Sequence, residues 1–174
     1  MKYLVKIFVV TFFLIICTDT FAEQKIVVLD MKYVLNQSKA GKGAQDFLKK
    51  SFNDNAKKYA EMEKQLKKEE TDILEKKNIL SKEDYTKKTD ALRKKVIDYQ
   101  SQRRSSLDKI SKQRADSKKI LLEKLQPILD NYIKENNVSL VIDKKYMLGG
   151  TKEYDITNII VEKLNKELPS LNLK

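Results

Sequence analysis

Histidine and tryptophan are absent from this 174-residue chain, cysteine occurs once, and there are only four glycines and two prolines. Without histidine there is neither the commonest metal ligand nor the usual acid–base group of neutral pH. The single cysteine, Cys17, lies near the N-terminus, so the rest of the chain has no thiolate nucleophile and can form no disulfide. No Ser-His-Asp triad and no glycine-rich phosphate loop can be assembled from what remains. Carboxylate pairs such as Glu69 with Glu70 and Glu83 with Asp84 sit among lysines and read as solvated surface. The chain is not expected to be an enzyme, and no cofactor or metal is expected.

The first residues have the order of a secretory signal peptide. Lys2 and Lys6 precede an apolar run from Ile7 to Cys17, and a polar stretch then ends at Phe21-Ala22. The run is about half of the ~20 residues a spanning helix needs, so cleavage after Ala22 is expected rather than retention as an anchor. Ile16 before Cys17 is too bulky for a lipoprotein processing site.

All four glycines (Gly41, Gly43, Gly149, Gly150) and both prolines (Pro127, Pro169) fall outside the span from Ala44 to Gln126. Glycine costs a helix interior about 1 kcal/mol and proline about 3, so this span reads as long, uninterrupted helix. Two apolar strands flank it, Lys25 to Asp30 and Val138 to Asp143. The helical span must therefore leave a base and return to it, which requires an antiparallel hairpin. Ser81 can cap a second helix with Asp84 three residues on, placing the tip near residues 78–83. The arms would run from Ala44 to Ile79 and from Lys82 to Gln126, with Gly41 and Gly43 loosening the backbone before the first.

The seam of that hairpin is thin. A 3–4 spacing threads Leu48, Phe52, Tyr59, Met62, Leu66, Ile73 and Leu80, but also Asn55, Glu69 and Lys76. On the returning arm Leu92, Val96 and Tyr99 make a stripe that resumes at Leu107 and Ile110, and from Ser111 to Lys119 only Ala115 is apolar. Acid-before-lysine pairs at i, i+4, such as Asp54/Lys58 and Glu63/Lys67, support each helix by about 0.2–0.5 kcal/mol without joining the arms. The expectation is a helical but bendable hairpin.

The base should hold a short helix over Met31 to Gln37, a weaker third strand at Tyr146-Met147-Leu148, and a last helix opened by Asp155-Ile156-Thr157 and stopped by Pro169. That last helix carries Ile156, Ile159, Ile160 and Leu164 on one face. Ile26, Val28, Leu140 and Ile142 on one sheet face, with Val27, Leu29 and Val141 on the other and Val34 and Leu35 on the short helix, offer more apolar surface than one small sheet covers. Identical copies joined through this base would cover it. The chain thus divides into a signal peptide (1–22), a discontinuous β-containing oligomerisation base (23–43 and 127–174) and a helical, coiled-coil-like hairpin (44–126). The fold class is mainly α with a small β base.

Charge is partitioned too. Lys49 to Lys119 holds 22 Lys/Arg against 13 Asp/Glu, whereas the rest of the chain after Ala22 holds 12 against 11. Basic rods suggest nucleic acid in a cytoplasmic protein, but export and sparse aromatics argue against that partner. Acidic polypeptides and anionic lipid or lipopolysaccharide headgroups remain.

Ile26-Val27-Val28-Leu29-Asp30 followed by Val34-Leu35-Asn36-Gln37-Ser38-Lys39-Ala40-Gly41-Lys42 resembles the opening of the Skp/OmpH family of periplasmic chaperones. Leu140-Val141-Ile142-Asp143 and Asp155-Ile156-Thr157 resemble that family's closing strand and last helix. The resemblance implies a homotrimer whose base strands close a small barrel and whose hairpins project as tentacles. It also implies ATP-independent holding of unfolded outer-membrane β-barrel precursors in the periplasm. In that role Tyr59, Met62, Leu66, Tyr85 and Tyr99 would make weak client contacts, and Lys67, Lys68, Lys94, Lys95, Arg103 and Arg104 would supply the attracting field. The alternatives are a coiled-coil envelope adaptor and a binder of anionic lipid or lipopolysaccharide.

Overall fold

The computed structural model describes residues 24–173, so the expected signal peptide and Cys17 lie outside the described residues. The elements in chain order are β1 (Lys25–Leu29), α1 (Met31–Gln37), α2 (Lys39–Glu75), α3 (Lys82–Glu135), β2 (Val138–Asp143) and α4 (Thr157–Glu167). Two single-turn 3-10 helices, Lys144–Tyr146 and Lys152–Tyr154, lie between β2 and α4. The fold is mainly α on a two-stranded base. At 1.5 Å per residue α2 is about 55 Å long and α3 about 81 Å, so α3 spans both the arm and the floor of the base.

β1 and β2 pair in parallel, with Ile26 opposite Leu140, Val27 opposite Val141 and Val28 opposite Ile142. Parallel strands need a long crossover, and here the whole hairpin supplies it. Alternation puts Val27 and Leu29 into the core with Val34, Leu121, Leu125, Ile128, Ile160 and Leu164. On the outer face Ile26 is 40% and Leu140 51% exposed. Val28 lies on that face yet is buried, because the chain returns over it. The Val28 carbonyl accepts from the Ile156 amide at 2.9 Å, and Val28 bridges to Asp155.

Several expected boundaries move. The first arm starts at Lys39 rather than Ala44 and stops at Glu75, so Gly41 and Gly43 are helical and the tip falls at residues 76–81. Ser81 caps α3 as its spacing indicates, its hydroxyl oxygen accepting from the Asp84 amide at 3.1 Å. The second arm does not end at Gln126. α3 continues through Pro127 to Glu135, because Leu125 and Ile128 on either side are buried in the core and offset the proline's cost. Asn137, at φ 51°, then turns the chain into β2. No strand forms at Tyr146–Leu148. A 3-10 turn takes its place and leaves Tyr146 and Leu148 exposed, since neither sheet edge of this chain lies opposite them. Ile159, expected on the buried face of α4, is 44% exposed, while Ile156, Ile160 and Leu164 are buried.

Asp155 ties the last crossing together. Its carboxylate accepts from Lys144 at 2.7 Å and from the Thr157 amide at 3.0 Å, and the Thr157 hydroxyl accepts from the Asp30 amide at 2.9 Å. Partial burial pushes the Asp155 carboxyl upward, but Lys144 and Thr157 outweigh it and hold the carboxyl below its ordinary value of 3.8. A carboxylate lowered on folding stabilises the protein above its unfolded pKa, and that contribution is lost as pH falls through the folded value. Stability should therefore drop on acidification below about pH 3.8, and Asp155→Asn should flatten that part of a urea-midpoint-against-pH profile.

Candidate functional site

The distinctive surface is the hairpin. Leu48, Tyr59 and Ile73 are buried between the arms, and Met62, Leu66 and Leu80 are half-buried, as the 3–4 spacing requires. On α3 the seam runs through Tyr85, Leu92, Val96 and Tyr99, then Ile110 and Leu121. Two expected seam residues leave it: Phe52 is 52% and Leu107 42% exposed. Between Ser111 and Lys119 the seam position belongs to Ser117 rather than Ala115. Ser117 is buried and donates its hydroxyl to the Gln113 carbonyl at 2.6 Å. A serine that satisfies itself on its own helix fits where no apolar residue is available.

Polar clamps replace missing apolar contact farther out. The Tyr59 hydroxyl donates to the Gln102 carbonyl across the arms at 2.9 Å, and the Tyr59 and Tyr99 rings meet edge-on at 6.0 Å. Glu69, a break in the apolar stripe, accepts from Lys95 of the other arm at 2.7 Å through both oxygens. Glu63 is lowered below its usual carboxylate value by the Lys67 ion pair at 2.8 Å, with Tyr99 and Arg103 adding to it.

These clamps revise the roles of named residues. Tyr59 is 7% exposed with its hydroxyl bonded, so it holds the arms together and is not available for a partner. Met62, Leu66, Tyr85 and Tyr99 are half-buried in the same seam. Lys67 and Lys95 are paired, whereas Lys68, Lys94 and Arg104 are exposed without an ion pair among the described residues. Toward the distal end of the arms Leu74 (56%), Ile79 (81%) and Ile97 (60%) are exposed apolar side chains that lie off the seam stripe. Leu74 and Ile97 line an open groove of about 510 Å³ between the distal arms, over Leu66, Ile73, Leu92 and Val96. The signal for them was in the sequence: Ile73-Leu74 and Val96-Ile97 each hold one apolar residue more than a seam can use.

Tyr59→Phe should remove the cross-arm hydrogen bond at a cost of about 1 kcal/mol. Faster amide exchange around Gln102, with the base unaffected, would register it. Unchanged exchange there would show that ring packing alone closes the arms.

Fold and surface together define a class of protein: a small α/β base that presents a long cationic helical hairpin with apolar side chains left open along it. The family described as outer membrane protein (OmpH-like) matches residues 25–164, and the chain belongs to this Skp/OmpH family. A Skp-like protein of Pseudomonas aeruginosa is 25% identical over 170 residues, covering 95% of this chain and 99% of that protein. The crystal structure of an OmpH-like protein from Caulobacter crescentus CB15 superposes with a TM-score of 0.79 at 14% identity, covering 88% of this chain and 90% of the other. That likeness is one of fold.

Proposed function

We propose that the protein is a periplasmic, ATP-independent holdase that binds unfolded outer-membrane β-barrel precursors through its arms and keeps them from aggregating. The observation that carries this reading is the exposure of Leu74, Ile79 and Ile97 on a hairpin dense in unpaired cations. An unfolded barrel precursor exposes alternating apolar strands with open edges. Weak, scattered apolar contacts hold such a chain while leaving release to the client's own folding free energy, and the positive field speeds first encounter. Membership in the OmpH-like family, with its Skp-like relative, supports the same reading.

The holding unit is a homo-oligomer assembled through the base, and the family resemblance implies that it is a trimer. Its support is the exposed outer face of the sheet at Ile26 and Leu140 and the short, open-edged strands. Leu140→Asp should lower the mass in sedimentation equilibrium to that of one copy.

The decisive experiment is aggregation of a denatured outer-membrane protein diluted into buffer with the chain from residue 23 onward. Leu74→Ser with Ile97→Ser should weaken protection severalfold at unchanged helicity, and added salt should slow capture. Equal protection by that variant, or binding to anionic vesicles without any client protection, would defeat the holdase reading.

A further inference from the structure

A second groove, of about 910 Å³, lies at the foot of the hairpin where α1, α2 and α3 diverge. Its apolar lining includes Leu35, Leu48, Phe52 and Leu121. Phe52 stands half out of the surface at the groove, which α3 lines with Arg114, Ser117, Lys118 and Leu121. The rim is cationic. Lys32, Lys49, Arg114 and Lys118 all line the groove, and none forms an ion pair among the described residues. Lys145 is engaged with Asp143 at 3.5 Å, so Asp46 is the one lining carboxylate left to oppose four free cations.

The polar groups in the groove are suited to a peptide. The Gln45 side-chain amide nitrogen donates to the Asn36 side-chain carbonyl. That leaves the Asn36 amide N–H groups and the Gln45 carbonyl oxygen for a ligand, one donor set and one acceptor side by side. A peptide group presents the matching acceptor and donor. An acyl chain would bury both without a partner. From Gly41 to Phe52 the α2 wall is about 17 Å long, room for about five residues of extended chain.

We propose that this groove binds an extended polypeptide segment bearing apolar side chains on one face and carboxylates on the other, and that it anchors part of a captured client. The anchoring role rests on the holdase reading above; the peptide specificity does not. The test uses the chain from residue 23 onward and two fluorescent peptides, one alternating valine with glutamate and one alternating valine with lysine. The glutamate peptide should bind at least about tenfold more tightly, as expected for apposed unpaired charges. Lys49→Glu, Arg114→Glu and Lys118→Glu together should reverse that preference. The same charge change at Lys134, Lys152 and Lys166 should keep it. A dye on Phe52→Cys, the sole cysteine beyond residue 22, should shift its emission when the glutamate peptide binds.

An unreversed preference, an equal loss in the control variant, or a silent dye overturns the proposal. So does loss of phosphatidylglycerol-vesicle binding with peptide binding intact, which assigns the groove to lipid. A fall in oligomer mass in the triple variant would assign it to contact between copies. Protection of a denatured client that survives the triple variant overturns the anchor and leaves the holdase standing. A wild-type protein without protection removes the holdase reading, and the peptide measurements then decide the groove alone.

Discussion

Gly41→Ala is expected to destabilise the protein by about 3 kcal/mol, the upper end for forcing a methyl group into filled space. A Cβ at this position would overlap the Leu35 carbonyl oxygen and come within 2.9 Å of the Ser38 hydroxyl. Neither neighbour can yield cheaply. Leu35 belongs to the backbone of α1, and Ser38, fully buried, is the single residue between α1 and α2. Its hydroxyl accepts from the Gly41 amide at 3.2 Å, and its own amide donates to Val34 at 3.2 Å. Moving either helix would disturb Val34 and Ala40 in the core. In a domain of this size the loss corresponds to a melting temperature lower by roughly 6–12 °C. Gly43→Ala should do the opposite. Nothing lies within 4 Å of its Cβ position, and relief of the helical glycine penalty should stabilise by about 0.5–1 kcal/mol. Calorimetry on the two variants would show opposite shifts. Shifts of one sign would mean that α1 and α2 pack less tightly than the Leu35–Gly41 approach requires.

Leu164→Ala is expected to lose about 2–5 kcal/mol, from lost transfer energy and the cavity left behind. Leu164 is fully buried on α4, in one cluster with Val34, Leu125, Ile128 and Ile160. That cluster anchors α3 and α4 to the sheet without help from a disulfide. Ile159 on the same helix is 44% exposed, and Ile159→Ala should cost under about 1 kcal/mol, in line with surface substitutions. Urea midpoints at constant slope would separate the two. If both cost the same, either Ile159 is covered in the assembled protein or the cluster relaxes into the cavity. Repeating the comparison on the Leu140→Asp variant distinguishes these outcomes.

The arms were legible because their information is local. Freedom from glycine and proline, a charge on nearly every turn and the Ser81 cap specify helix, turn and helix whatever surrounds them. The strands were legible for a similar reason, as short β-branched runs, but their continuous apolar composition reads as buried on both faces, and only packing turns Val27 and Leu29 inward while Ile26 stays exposed. What failed was local reading at places where another element decides. Gly41 and Gly43 look alike in the chain, and only the approach of α1 distinguishes them. Pro127 reads as a stop until the buried residues on both sides of it are seen. Tyr146 to Leu148 has strand composition but no edge opposite it in this chain.

The candidate site divides along the same line. The cations and the surplus apolar residues beside the stripe are visible as residue types. Which of them are free depends on distances across the arms: Lys95 is taken by Glu69 and Tyr59 by Gln102, while Leu74 and Ile97 remain open. The amino-acid order alone settled that this chain forms a charged helical hairpin on a small apolar base, because helix propensity and alternation act between near neighbours. The tertiary structure alone decided which glycine is required, where the helices end and which side chains stay free. The last two depend on contacts between residues far apart in the chain, and the first on how closely α1 folds back across Ser38.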